Sequence, residues 1–215
     1  MNQIVSFREF LSTGKLGPIS TEMTLKDVAK ALGGPDGFII HPDTPDVPIY
    51  WCYGNLEISF SEEPPYRMDW FQIEHADYLE GEFEKITENL IVALDGFGER
   101  TKPSQFLRAG LWANDEVKVL IGALSDDVIL TICAGAVSIH FRIDSSFIDD
   151  GDAVRYVESN DVSQIVKDID SRTELDSIYS HTSHELAIPF GDFAKLRLLN
   201  GSEYLVTLDT AQERA

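Results

Sequence analysis

Two neighbouring stretches constrain this chain most, MTLKDVAKALGGPDGF at 23–38 and WCYGNLEISF at 51–60. In the first, Leu25, Val28, Ala29 and Leu32 recur at helical spacing and form one apolar stripe. Thr24 stands where an N-cap hydroxyl is needed, and Asp27 places a carboxylate in the first turn, against the positive end of the helix dipole. Gly33-Gly34-Pro35 then stops the helix, because glycine takes the left-handed conformation and proline cannot continue the ladder. In the second stretch the period drops to two. Trp51, Tyr53, Leu56, Ile58 and Phe60 form the apolar set, and Gly54-Asn55 interrupts it as a tight turn. A capped helix followed by a strand hairpin is the expected unit.

The string MTxxxVxxxLGxPD, with W-x-Y downstream, is carried by Met23, Thr24, Val28, Leu32, Gly33, Pro35, Trp51 and Tyr53. It resembles the helix-turn-strand unit of the small SmpA/BamE-type lipoproteins of outer-membrane assembly and of the tandem-repeat β-lactamase inhibitor proteins. That resemblance implies the fold of the unit and a role as a structural or assembly module. The succession of this helix and YGNLEISF also resembles, more loosely, immunity proteins of bacterial polymorphic toxin systems, which implies a binding protein that blocks a toxin domain.

Other segments extend the α+β reading. Ser6-Phe7-Arg8-Glu9 has capping-box spacing, so a short helix is expected over 6–13, ended by Gly14. The proline-rich stretch 41–48 reads as a surface loop. RMDWFQIEHA suggests a third strand and NLIVAL another; Trp70 with Phe71 would signal an interface if exposed and core if not. A short helix is expected from Pro103 to Arg108, and VILTICAGAV at 128–137 suits a buried hairpin. VRYVES reads as a short strand. Val162, Ile165, Val166 and Ile169 mark a helix with Asp161 in its first turn. Asn200-Gly201 between AKLRLL and SEYLVTL reads as a type I′ hairpin, with DTAQERA frayed behind it. Gly54-x-Leu56-x-Ile58-x-Phe60 recurs as Gly135-x-Val137-x-Ile139-x-Phe141, 81 residues on, the spacing of a duplicated unit. The expected architecture is therefore α+β, an antiparallel sheet with a few short helices, in two related halves (1–99 and 100–215) that could pack as one unit.

Charge bounds the function. Thirty-seven acids against seventeen bases leave the 215-residue chain at −20, which repels nucleic-acid backbones and anionic lipid and suits a basic protein partner. No run approaches the ~18 apolar residues of a transmembrane helix. The start MNQIVSFREF has neither a signal-peptide pattern nor a lipobox cysteine, so a cytoplasmic location is expected. Cys52 and Cys133 lie in strand-like runs and read as reduced, buried thiols.

Patterns that would carry chemistry are incomplete. Asp149, Asp150 and Asp152 around Gly151 lack calcium-loop spacing. His181 and His184 have no recognisable third ligand and read as polar loop residues. Glu80, Glu82 and Glu84 read as a solvated face, Gly96-x-Gly98 as a turn, and no serine sits in a G-x-S-x-G elbow. No cofactor is expected. The expected function is that of a non-enzymatic, acidic, immunity-type binding protein, with an SmpA/BamE-like assembly module or an enzyme of spatially assembled carboxylates as alternatives. Its contacts are expected at Asp43, Asp46, Glu62, Glu63, Asp149, Asp150 and Asp152, where several acids share turns.

Overall fold

A computed structural model of the chain describes residues 3–41, 44–124, 127–143, 153–182 and 196–213; at 41, 44–47, 124 and 213 it describes the backbone alone. The first elements are β1 (Gln3–Ser6), α1 (Phe7–Thr13), α2 (Leu25–Leu32), β2 (Gly37–His41), β3 (Thr44–Tyr53), β4 (Leu56–Phe60) and β5 (Met68–Ile73). A single 3-10 turn (Ala76–Tyr78) leads to β6 (Phe83–Thr87), β7 (Leu90–Ala93) and α3 (Pro103–Arg108). Then follow β8 (Lys118–Leu124), β9 (Asp127–Ala134), β10 (Val137–Ile143), α4 (Arg155–Glu158), α5 (Val162–Arg172), β11 (Glu174–His181), β12 (Leu196–Asn200) and α6 (Gly201–Glu213). This is the α+β architecture, with sheets that are mostly antiparallel. The chain divides into two compact units: one comprises residues up to 98 with 135–137 and 177–185, the other comprises the remainder.

In the first unit the strand order is β11–β5–β4–β3–β2, and a separate sheet runs β1–β7–β6 with β1 parallel to β7. The β3–β4 turn is Gly54-Asn55, with Gly54 at φ +56. A Cβ on Gly54 would lie 2.5 Å from the Ile86 carbonyl oxygen, so both backbone conformation and close approach require glycine there. Given that turn, Trp51, Tyr53, Leu56, Ile58 and Phe60 all point into the core and are buried. Phe10 of α1 stacks on Phe71 with ring centroids 5.6 Å apart, while Phe7 meets Phe97 edge-on at 5.9 Å. Ser180 Oγ donates to the carbonyl of Gly14 at 2.7 Å, fixing the end of α1 to β11.

Both N-terminal helices are capped as their sequences imply. Thr24 and Asp27 form a reciprocal capping box on α2. Ser6 Oγ accepts from the Glu9 amide at 3.1 Å and donates to Asp95 at 2.6 Å, and Asp95 also accepts from the Arg8 amide at 3.0 Å. Those bonds, the one from Ser6 foremost, hold the Asp95 carboxyl below its ordinary value of 3.8. The residues that carry the SmpA/BamE resemblance have structural work here: Thr24 caps, Gly33 ends α2 at φ +88, and Trp51 and Tyr53 fill the core.

In the second unit the order is β12–β8–β9–β10. Its helices meet at one carboxylate. Buried Asp170 of α5 accepts from the Ser104 amide and hydroxyl at 2.8 Å each, at the start of α3, and from the Tyr204 hydroxyl of α6 at 3.1 Å. Burial, and then the Asp170 charge, push the Tyr204 phenol well above its ordinary pKa, so it stays a donor.

Four expectations need correction. The expected terminal hairpin is a strand followed by a helix. Asn200 Oδ1 accepts from the Glu203 amide at 2.8 Å and Glu203 Oε2 accepts from the Asn200 amide at 2.8 Å, a capping box that starts α6. Tyr204, Leu208 and Ala211 then bury one helical face, so DTAQE belongs to the helix and is not a frayed tail. Gly201 is needed for proximity, since its Cβ would sit 2.9 Å from the Asn114 carbonyl oxygen. VRYVES contains the helical turn α4, whose end carbonyls Tyr156, Val157 and Ser159 receive the Arg197 side chain at 3.2, 2.9 and 2.5 Å. Of the stretch 41–48, residues 41 and 44–48 are strand backbone of the β2–β3 pair, and 42 and 43 lie outside the described residues. His181 closes strand β11 and is buried, its amide donating to the Ala136 carbonyl at 3.0 Å, while His184 lies outside the described residues. Among the described residues no helix is long and apolar enough to cross a membrane.

Two outcomes follow from the caps. Asn200→Ala should lower unfolding stability by about 1 kcal/mol, measured by urea denaturation, because the Glu203 amide loses its acceptor. Asp95 has a depressed native pKa, so its contribution is complete above 3.8 and fades as pH falls through the lower native value. Between about pH 5 and pH 3 the urea midpoint of Asp95→Asn should therefore fall less than that of the wild type. Asparagine also suits the positive φ of 55 at this position.

Candidate docking face

The alternation that buries Trp51, Ile58 and Phe71 turns their neighbours to the opposite face of the first unit's sheet. Two register rows cross that face. One runs Ile39, Tyr50, Ser59, Trp70, His181; the other runs Gly37, Cys52, Glu57, Gln72, Tyr179. Neither row contains a lysine or arginine. Trp70 is the hub of the aromatic part, with centroids 5.3 Å from Tyr50 and 5.4 Å from Tyr179, all three rings half-buried. Phe71, next to it in sequence, is core.

Carboxylates gather around Cys52 in the second row. The Cys52 thiol is pushed up by burial and then by the negative charges of Glu57, Glu74 and Asp36, so all three acids act on one point of the sheet. Asp36 accepts from the Gly54 amide at 2.9 Å and so braces the β3–β4 turn. Glu57 accepts from the Gln72 side chain at 2.5 Å, which locks both side chains across β4 and β5. Tyr53 donates to the Gly33 carbonyl at 2.9 Å, and burial followed by Asp36 raises its phenol to about 12. Aromatic faces and fixed carboxylates in register rows that hold no lysine or arginine are groups with which a lysine or arginine side chain can interact, by ring quadrupole and by charge-assisted hydrogen bonds.

A raised thiol pKa keeps Cys52 protonated and a poor nucleophile, and Asp36 and Glu57 already serve the turn and Gln72. In the second unit the Cys133 thiol is raised to about 11, chiefly by burial, and buried His140 lies 3.0 Å from Thr131 through Nδ1. A cavity of about 310 Å³ there is lined by Arg155, Ser159, Asp161, Gln164, Ile165 and Asp168. Its acids are occupied: Asp161 caps α5, and Asp168 accepts from the Tyr156 hydroxyl and from Arg172. Among the described residues no cluster of three or more metal-ligating side chains occurs.

Of the residues expected to contact a partner, Glu62 and Glu63 are exposed in the β4–β5 connection, where the Glu63 carbonyl accepts from the Tyr66 amide at 2.8 Å. Asp46 lies on β3, with its side chain outside the description. Asp43, Asp149, Asp150 and Asp152 lie outside the described residues. Sequence reasoning missed Tyr50 and Tyr179 as ring partners of Trp70 and Glu57 and Glu74 as acids acting on Cys52, although strand parity from the Gly54-Asn55 turn placed Tyr50 and Glu57 on that face.

The field at this face can be read through Cys52. Replacing Glu57 and Glu74 together with glutamine should speed its alkylation by iodoacetamide at about pH 8 by two- to fivefold, as the thiol pKa falls toward normal. An unchanged rate would mean that these acids do not set the local potential. Comparison of the chain with protein-family models, with curated proteins and with solved structures finds no match.

Proposed function

We propose that this chain is an acidic binding protein of immunity type, cytoplasmic and without turnover, which covers the working surface of a basic partner. The observation that supports this most is the sheet face whose register rows carry the Tyr50, Trp70 and Tyr179 ring cluster together with Glu57, with Asp36 and Glu74 acting on Cys52 in the same row as Glu57 and no lysine or arginine in either row. Rings of this kind supply the energetic centre of an interface, and the surrounding acids set encounter rate and discriminate against acidic competitors. With a net charge of −20, encounter with a basic surface is accelerated at low salt. Glu62 and Glu63 extend the acidic surface at the β4–β5 connection. The mechanism is occlusion, so one copy inactivates one partner.

The test is capture from host lysate at low salt, elution by a salt gradient, and reconstitution with the purified partner. A stoichiometric basic protein is expected, its affinity reduced at least tenfold by Glu57→Lys with Glu74→Lys and less by Glu62→Lys with Glu63→Lys. If a folded sample retains nothing, or the first pair leaves affinity unchanged, the reading fails. Retention that salt does not weaken but Trp70→Ala abolishes would instead support the assembly-module reading.

A further inference from the structure

The edge strand of the first unit's sheet is unprotected. β2 ends the strand order, so one side of its backbone has no ladder partner among the described residues. Its sequence GFIIH has neither proline nor a lysine, arginine or carboxylate. Phe38, Ile39 and Ile40 are 62%, 50% and 46% exposed, and because successive side chains alternate, apolar surface is presented on both faces. The register shifts between β2 and β3 do not blunt this edge. From Ile39 to His41 the pairing steps through Tyr50, Pro48 and Thr44, so the extra residues all fall on β3 and β2 advances one residue at a time. Two other edge strands are different: β6 carries Glu84 and Lys85, and β12 carries Arg197, while β1 (QIVS) is likewise uncharged but only four residues long, itself a means of limiting edge pairing. Charge, proline and bulging are the ordinary means of keeping an edge from pairing, and β2 has none of them.

We propose that β2 pairs antiparallel with β2 of a second copy of this chain, across a two-fold axis near Ile39. This contact does not rest on the basic-partner reading. In that register Ile39 faces its own copy and Phe38 faces Ile40, so every exposed apolar side chain of the strand meets another and no like charges stand opposite. A basic partner would find no carboxylate on the strand to answer its charge. A second copy offers the same uncharged, apolar strand, and self-pairing completes both backbone edges at once.

Two properties of the dimer follow. Three apolar side chains and one strand edge bury less than the ~1,600 Å² of a standard interface, so association is weak and concentration-dependent. Each copy carries −20, so the copies repel at long range. Salt screens that repulsion without weakening apolar pairing, so the dimer tightens as salt rises. Binding to a basic partner has the opposite dependence.

Sedimentation velocity of the full chain from about 10 to 500 µM reads this directly. The expected result is a weight-average mass rising toward twice the monomer, with the dissociation constant at least threefold lower at ~500 mM than at ~50 mM salt. Ile39→Lys and, independently, Phe38→Lys should each weaken dimerisation at least tenfold. Val206→Lys, the same charge change at a 65% exposed site on α6, should not. Far-UV circular dichroism and thermal melts confirm that each variant is folded, and either strand variant suffices should the other unfold. A wild type that stays monomeric throughout, a dimer that both strand variants leave intact, or one that salt weakens would overturn the proposal. Loss of partner binding in the lysate experiment would leave it untouched.

Discussion

The β3–β4 turn decides what the first unit presents. Gly54 is held at positive φ with the Ile86 carbonyl pressed against the space a side chain would need, so neither the turn type nor the pairing across it can change. Because strand side chains alternate, fixing that turn fixes parity for every strand registered on it. Trp51, Tyr53, Leu56, Ile58 and Phe60 go to the core face; Tyr50, Cys52, Glu57 and Ser59 go to the opposite face, where Ser59 is itself buried. A slip of one residue would exchange the aromatic core with the docking face. Asp36 reinforces the same point from outside the hairpin by accepting the Gly54 amide.

A second carboxylate organises the other unit. Asp170 takes three donors from two elements, which satisfies a buried acid and orients α3 and α6 toward α5. Removing the partners of such a group is worse than never burying it, since the uncompensated charge remains. Both units thus use carboxylates as internal fasteners. The acids that remain at the surface contribute to the chain's net charge of −20.

Local rules carried the sequence reading furthest where one residue type has one physical use. Ser6 and Thr24 cap helices; Gly54 and Gly135 turn hairpins; the Val162 to Ile169 stripe is helical, with Asp161 at its N-cap, just before the first turn in which it was expected. They failed where the same residues serve two uses. Asn200-Gly201 suits a type I′ turn, but Asn200 with Glu203 is equally a capping box, and burial of Tyr204, Leu208 and Ala211 decides for the helix. Four residues of α4 are too few to nucleate alone, and the Arg197 contacts that satisfy their carbonyls come from roughly forty positions away. The docking face was half legible: Tyr50 and Glu57 follow from hairpin parity, whereas Tyr179 reaches Trp70 through a pairing between β5 and β11 that no local pattern encodes.

That pairing has a consequence for how the protein is made. The first unit is not finished by the first hundred residues: Gly14 waits for Ser180, and β5 waits for β11. On the ribosome, β5 and the end of α1 emerge long before the strand that completes them, while residues 99–134 and 138–176, the larger part of the other unit, are synthesised in between. A chain released or cleaved near residue 100 would carry Phe71, Trp70 and the rest of β5 without their neighbour. The threading thus couples the cluster of Tyr50, Trp70 and Tyr179 to synthesis of β11, so that a chain cut before that strand lacks it.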